Sequence, residues 1–346
     1  MRLGKLPEGV RLRAVRKVFE KQPVPERLML PGVHLDGNIL PVPKDENHCF
    51  ILASGTDPDA LAAVCNRVYA CAAVPESAQI TIFIPQETEE GQLKTYTRSL
   101  LRRAGALSVR IGDVNVQTRA GLTNVLTTAT VTAIGDLKCI RRLTGPHPGQ
   151  YLIVAGYAGQ AGVRSCFPDL PDNITKRFRR EYLKRSYGTE SDTSAAAAAG
   201  VCREALQKGT AGISAMHAAG EGGIFAALWE LTADRGVGFE ADVHNIPVRQ
   251  EALEAVQLAG LNPYEINSEG CLLIAADDAE TIVSEIRGKG VPAGVLGKFT
   301  DTRDKILNNR GKIRFLDKPQ EDLSVDFRYR LKGAEHGTQR TDPQGY

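Results

Sequence analysis

Hydrophobic residues along this chain recur with two periods, the shorter typical of strands and the longer typical of helices. Residues 49–53 and 79–85 are short apolar runs rich in β-branched side chains, which predict strands. Residues 59–73 lie between them, follow a Thr-Asp-Pro start and predict a helix. The order β-α-β-α-β-β that results is typical of an α/β domain. Its other predicted elements are a helix over 88–105 and strands over 37–42, 107–111 and 124–134.

The second half of the chain repeats strand and helix patterns after a segment of turn residues. Residues 143–149 (LTGPHPG) separate two apolar blocks and predict a linker. A strand over 151–155 and a β-α-β unit over 271–299 follow, with an edge strand over 312–315. The chain is therefore predicted to have an α/β (α+β) fold with two domains. Their predicted bounds are residues 1–142 and 149–318, followed by a disordered tail over 319–346.

Charge and composition limit the kinds of partner and the cellular compartment that the sequence predicts. The 346 residues carry a formal net charge of +2, which gives no reason to expect nucleic acid as a partner. No apolar run is long enough to cross a membrane, and the basic N-terminus lacks the apolar core of a signal peptide. The seven cysteines are scattered and form no CxxC motif, which favours reduced thiols in core positions and a cytoplasmic protein.

A basic segment over residues 173–193 is the most polar part of the interior of the chain. It contains six lysine and arginine residues between 176 and 185. Such a run is usually a solvated helix face or a loop, and a role facing phosphate is the alternative.

The sequence Gly-Glu-Gly-Gly at 220–223 carries the clearest local chemistry. It precedes a helix whose apolar residues recur at helical spacing. Glycines at such a turn let the backbone approach a ligand closely, and the unpaired N–H groups of a helix start favour an anion. Gly222 and Gly223 are therefore predicted to bind an anionic ligand. The alternative is a tight turn between two core elements.

Several motifs follow His217 in an order that resembles a known superfamily. These are Met-His at 216–217, Glu-Gly-Gly at 221–223, Leu-Trp-Glu at 228–230, Ile-Pro-Val at 246–248 and Ser-Glu-Gly at 268–270. This order is similar to the C-terminal domain of the aminoimidazole ribonucleotide (AIR) synthase superfamily. The most similar branch contains the hydrogenase maturation factor HypE and its AIR synthase-related relatives. The resemblance is strong over residues 211–298 and weaker over 149–162.

The first half of the chain resembles the N-terminal domain of the same superfamily more faintly. Its matches are PGVHLD at 31–36, SGTDP at 54–58, CNR at 65–67 and IGDVNV at 111–116. The resemblance implies an ATP and Mg²⁺ site, phosphorylation of an amide or related oxygen, and homodimers formed through the N-terminal sheet. The residues at the implied site are Asp36, Asp57, Asn66, Arg67, Gly112, Gly222 and Gly223, with Asp36 and Asp57 as metal ligands.

Three departures from the family pattern argue against ordinary Mg²⁺ chemistry. Arg67 and Ala218 stand where the family has Asp, and Asn115 stands where it has Glu. Mg²⁺ needs hard oxygen ligands, and a cation beside it costs about 4 kcal/mol for each unit pair at about 4 Å. Either Arg67 binds a phosphate directly and replaces part of the metal's role, or the site is inactive and the fold survives as a dimeric scaffold.

His217 and Glu221 are the candidate catalytic residues, and each has a structural alternative. His217 at a strand end is equally consistent with a hydrogen-bonded structural histidine. Glu221 is equally consistent with a first-turn carboxylate that interacts with the helix dipole. The alternatives for Asp57 and Asp36 are an N-cap and a turn residue.

These observations lead to one main functional hypothesis and two rivals. No cysteine follows Cys271, so the C-terminal cysteine on which HypE builds its thiocyanate is not expected here. The main hypothesis is a cytoplasmic homodimer with an eroded nucleotide site, which binds a small phosphorylated ligand weakly or serves as a non-catalytic partner. The first rival is an active ATP-dependent enzyme that uses Asp36, Asp57 and Glu221. The second is an interaction protein that uses the basic segment.

Overall fold

The computed structural model describes two α/β domains, each built on its own sheet. It covers residues 38–42, 45–56, 59–166, 181–182, 185, 188–233, 235–319, 322 and 324. Among the described helices, none combines the length and the apolar character that a membrane-spanning helix needs. Most of the basic segment lies outside the described residues, as do Asp36 and Asp57.

The N-terminal sheet has five strands in the order β1-β2-β5-β3-β4. Burial alternates along β2 and β5 because one face of the sheet packs on helix α1 and the other remains open. The predicted order of strands and helices is confirmed in this domain. The elements are β1 (Asn38–Pro41), β2 (His48–Thr56), α1 (Ala60–Ala70), β3 (Ser77–Ile84), α2 (Glu90–Ala106), β4 (Arg110–Thr118), β5 (Leu126–Asp136) and α3 (Leu137–Ile140).

The C-terminal sheet has seven strands in the order β12-β11-β8-β10-β6-β9-β7. Strand β9, which lies between β6 and β7, is buried at all five positions, which explains its continuous apolar sequence. The elements are β6 (Tyr151–Ala155), α4 (Gln160–Cys166), α5 (Ala196–Lys208), β7 (Ala215–Ala218), α6 (Gly223–Thr232), β8 (Gly238–Asp242), α7 (Gln250–Leu258), β9 (Leu272–Ala276), α8 (Ala279–Gly288), β10 (Ala293–Thr300), β11 (Lys305–Asn309) and β12 (Lys312–Phe315).

Helix α1 joins the two domains. Nine of its 11 residues are buried, so it contacts neighbours all round rather than on one stripe. One continuous cluster of buried side chains runs from Ile51 and Val131 through Val64 of α1 to Met216 and Ile274. The polar residue Asn66 is carried into this interface because the apolar residues on either side of it anchor the helix.

Several local predictions need correction. The strand predicted over 107–111 begins at Arg110 and continues to Thr118, so Gly112 lies within β4. Strand β11 was not predicted. The expectation of a disordered tail does not hold at Asp322 and Ser324, which are buried and hydrogen-bonded. The seven cysteines are buried, as expected for core residues.

Candidate functional site

Asn66 is the centre of a polar cluster at the junction of the two domains. Its side chain is completely buried, so each of its polar atoms needs a partner. The amide nitrogen donates to the carbonyl oxygen of Thr193 and to Oε2 of Glu269, both at 2.9 Å. The amide oxygen accepts from the backbone nitrogen of Ala195 at 2.8 Å. One side chain of the N-terminal domain thus forms three hydrogen bonds to the C-terminal domain.

Glu269 is the buried carboxyl group that faces Asn66. It lies in the loop before β9, where its backbone nitrogen donates to Oδ1 of Asn267 at 2.9 Å. Removal from water raises the pKa of Glu269 to about 8, against the opposing effect of the hydrogen bond from Asn66. The neighbouring carboxylates Asp59 and Glu221 raise the pKa further, and Arg67 lowers it. The side chain is therefore mostly protonated at neutral pH and able to exchange a proton there.

Arg103 ties a second carboxylate into the same junction. Its Nη2 atom lies 2.6 Å from Oδ2 of Asp59 and donates to Oγ1 of Thr193 at 2.6 Å. The guanidinium is largely buried and comes from helix α2, whereas Thr193 lies in the C-terminal domain. Asp59 is therefore already neutralised by a cation of its own domain.

Arg67 follows Asn66 on helix α1 and lies beside the same cluster. Its Nη1 atom donates to the carbonyl oxygen of Ser54, near the end of β2, at 2.7 Å. Its effect on the pKa of Glu269 shows that its positive charge reaches the Asn66–Glu269 pair. A cation therefore lies beside the buried Asn66–Glu269 pair.

The glycine-rich turn at 220–223 packs against the loop that carries Glu269. The backbone nitrogen of Ser268 donates to the carbonyl oxygen of Gly220 at 3.1 Å. Gly222 and Gly223 both have positive φ angles, 83° and 69°, and a Cβ on Gly223 would lie 2.4 Å from the carbonyl oxygen of Tyr264. The Gly222 nitrogen donates to Oδ2 of Asp322 at 2.8 Å. A carboxylate of the chain itself thus lies where the sequence predicts an anionic ligand.

His217 interacts with a carboxylate that the sequence did not indicate. Its Nε2 atom lies 3.1 Å from Oε2 of Glu230, and the His217 side chain is only 7% exposed. The family pattern places an acid directly after this histidine, at the position of Ala218. Here the acid comes from helix α6 instead, which favours the structural reading of His217.

The structure brings some of the predicted site residues together and separates others. Asn66, Arg67 and Glu221 surround Glu269, and Gly222 lies in the adjoining turn. Gly112 lies on the edge strand β4, with β3 and β5 between it and β2. Sequence reasoning missed Glu269, Asp59, Arg103 and Thr193 as site residues. The Ser-Glu-Gly motif at 268–270 was the available signal for Glu269.

The described carboxyl groups of the junction do not fit a divalent metal ion. No group of three or more His, Cys, Asp or Glu side chains in the described part of the chain is arranged to hold one. Asp59 is engaged by Arg103, and Glu269 is mostly protonated at neutral pH. Mg²⁺ favours ionised oxygen ligands that are not already paired with a cation, and neither of these two groups supplies one.

Comparisons with known proteins confirm the resemblance. Residues 175–308 match the family "AIR synthase related protein, C-terminal domain". Carbamoyl dehydratase HypE of Rhodobacter capsulatus is 27% identical over 263 residues, 73% of this chain and 71% of the relative. HypE of Rhizobium leguminosarum bv. viciae is 26% identical over 199 residues, 56% of this chain and 53% of the relative, so that match spans about half of the relative's length.

A solved structure gives the same fold. The crystal structure of the hydrogenase maturation protein HypE in complex with ATP superimposes with a TM-score of 0.63. The superposition covers 92% of this chain and 96% of the HypE chain, at 15% sequence identity. At that identity the likeness establishes the two-domain AIR synthase-like fold.

Proposed function

We propose that this AIR synthase-related, HypE-like chain binds a phosphorylated ligand at the junction of its two domains, weakly and with little dependence on Mg²⁺. The observation that carries the proposal is that the cation of Arg67 acts on Glu269, which is mostly protonated, while Asp59 of the same cluster is paired with Arg103. An arginine presents a fork of donors that suits phosphate and needs no metal to bridge the two. ATP is the first ligand to test, because a HypE of the same fold was crystallised with it.

Replacing Arg67 by Asp tests this proposal, because it restores the acid of the family pattern. We expect calorimetric titration with ATP in EDTA to show at least a tenfold loss of affinity, since a charged hydrogen bond to phosphate is removed. Added Mg²⁺ should then strengthen binding to the variant more than binding to the wild type. The variant Arg67→Gln removes the positive charge without adding a negative one. Comparing its ATP affinity with that of Arg67→Asp therefore separates the two effects.

The matched control is Arg98→Asp, which makes the same charge change at an exposed position of helix α2. Its affinity for ATP should equal that of the wild type. The proposal would be contradicted if the wild type bound no ATP either with or without Mg²⁺. It would also be contradicted if the affinity of the wild type for ATP depended steeply on Mg²⁺.

Glu269 supports a second candidate, an ATP-dependent enzyme. A carboxyl group whose pKa is about 8 can accept or donate a proton near neutral pH, as a general acid or base must. Glu221, one of the two catalytic candidates from the sequence, then assists from the same cluster, whereas His217 keeps its structural role beside Glu230. Release of ADP by the wild type, abolished in Glu269→Gln with ATP affinity intact, would favour this candidate over simple binding.

The proposal includes a homodimer that forms through the open face of the N-terminal sheet. Phe50 and Ile134 lie opposite each other in the β2–β5 register and are 37% and 46% exposed. Pairing two such faces removes this apolar surface from water. We expect Ile134→Arg to halve the mass measured by size-exclusion chromatography with light scattering. Leu101→Arg, at a 65% exposed position of helix α2, should leave the mass unchanged; equal masses for both variants would contradict the assignment.

A further inference from the structure

A pocket of about 420 Å³ lies on the C-terminal domain and shares no residue with the domain junction. It is enclosed by helix α6, the loop over 262–264 and the β11–β12 hairpin. Its volume is within the range of small-molecule sites. Its lining residues are Phe225, Asn262, Tyr264, Asn309, Lys312, Ile313 and Arg314.

Two aromatic rings and a flat cation form one wall of this pocket. The rings of Phe225 and Tyr264 pack with centroids 5.3 Å apart and planes inclined by 37°. The guanidinium of Arg314 lies 5.3 Å from the centroid of the Phe225 ring. Ile313 adds an aliphatic side chain that is 71% exposed. Aromatic rings and guanidinium planes stack on flat ring systems, so this wall suits a ligand with a ring.

The polar groups of the pocket are donors. Oδ1 of Asn262 accepts from the backbone nitrogen of Tyr264 at 3.1 Å, and Oδ1 of Asn309 lies 2.9 Å from Nε2 of His244. These contacts engage the amide oxygens of both asparagines and leave their NH₂ groups to face a ligand. In the described part of the chain, neither Lys312 nor Arg314 forms an ion pair. The pocket therefore offers four donor groups, two of them cationic, to an acceptor.

The charge of the β11–β12 hairpin also favours an anionic ligand. Residues 305–315 contain Lys305, Arg310, Lys312 and Arg314 and no acidic residue. The nearest acidic residues along the chain, Asp304 and Asp317, flank the hairpin instead of lying in it. A cluster of one sign of charge around a concave surface raises the local concentration of the opposite charge.

We propose that this pocket binds a small molecule in which a phosphate or carboxylate group is attached to a flat ring. The anionic group pairs with Arg314 and Lys312 and accepts from the two asparagine amides. The ring packs against the half-buried Tyr264, whose own ring contacts the buried Phe225. Strand β12, which carries the two cations, lies beyond residues 175–308, the range that matches the family.

Ligand-observed NMR by saturation transfer tests the proposal with probes that separate ring from charge. Phenyl phosphate and benzoate carry both features, and we expect both to bind with Kd values on the order of 1 mM. Benzyl alcohol lacks the anion and benzylamine reverses its charge, so neither should give a signal. Inorganic phosphate should displace phenyl phosphate only at roughly tenfold higher concentration. Comparing the Kd of phenyl phosphate with that of benzoate also decides whether the pocket prefers phosphate or carboxylate.

Variants locate the binding in this pocket. Lys312→Gln with Arg314→Gln should weaken binding of phenyl phosphate at least tenfold. Asn262→Asp keeps the oxygen that accepts from Tyr264 but replaces the NH₂ donor by an acceptor, and should also weaken it. Arg310→Gln changes the charge of the same hairpin outside the pocket and should have no effect. The proposal would be overturned if the double variant bound phenyl phosphate as tightly as the wild type, or if benzylamine bound as tightly as phenyl phosphate. Loss of phenyl phosphate binding in Arg67→Asp would also overturn it, because the ligand would then lie at the junction.

Discussion

Replacing Asn66 by alanine is expected to lower the free energy of unfolding by about 3 to 5 kcal/mol. The substitution removes all three hydrogen bonds that this fully buried side chain forms with the C-terminal domain. The Ala195 N–H and the Glu269 carboxyl group then remain buried without this partner, and water cannot replace it easily in a closed interface. Urea unfolding followed by circular dichroism measures the loss.

The matched control for this experiment is Asn124→Ala. Asn124 lies in an exposed loop, where its side chain donates to the neighbouring Thr123. Its replacement should change the free energy of unfolding by less than about 0.5 kcal/mol. A result for Asn66→Ala as small as that of the control would mean that these hydrogen bonds do not join the two domains.

The stability of the wild type should fall with increasing pH because of Glu269, and Glu269→Gln should remove that contribution. The pKa of Glu269 is about 8 in the folded protein and 4.5 in its ordinary state, so the folded chain binds one more proton between these values. Stability attributable to Glu269 is therefore complete below pH 4.5. It decreases by about 1.4 kcal/mol per pH unit as the pH rises, and is lost once the pH passes 8.

The measurement compares wild type and Glu269→Gln by urea unfolding at several values between pH 5 and pH 8.5. Glutamine keeps an acceptor for Asn66 but cannot ionise, so the difference in stability between the two proteins should change with pH in the direction stated. Glu265→Gln, a half-buried residue of the same loop, serves as the control. A pH-independent difference between wild type and Glu269→Gln would show that Glu269 ionises freely in the folded state.

The sequence predicted the fold well because the order of strands and helices depends on local, repeating patterns of apolar residues. The alternation of β2 and β5 and the continuous apolar run of β9 indicate strands of two kinds, one open to solvent on one face and one fully buried. Ordered motifs such as Glu-Gly-Gly at 221–223 identified the superfamily. Strand β11 was missed because its sequence, KILNN, alternates weakly and becomes a strand only by pairing with β8 and β12.

The site was predicted in part, and the limits have a physical cause. Asn66 and Arg67 were identified by the family pattern, but as ligand-binding residues rather than by their contacts within the chain. The partner of Asn66, Glu269, lies 203 positions away, a separation over which sequence spacing carries no geometric information. The carboxylate at the Gly222 turn was unexpected for the same reason, because Asp322 is 100 positions further along.

The sequence by itself determined the class of fold and the position of the glycine-rich turn, since each depends on residue type and local order. Only the tertiary structure decided which of these groups meet and in what state. Burial between the domains makes Glu269 a mostly protonated acid, Arg103 neutralises Asp59, and Asp322 lies on the turn that could otherwise receive a ligand. The physical reason is that the charge of a carboxyl group depends on its exclusion from water and on its neighbours, and both are products of packing.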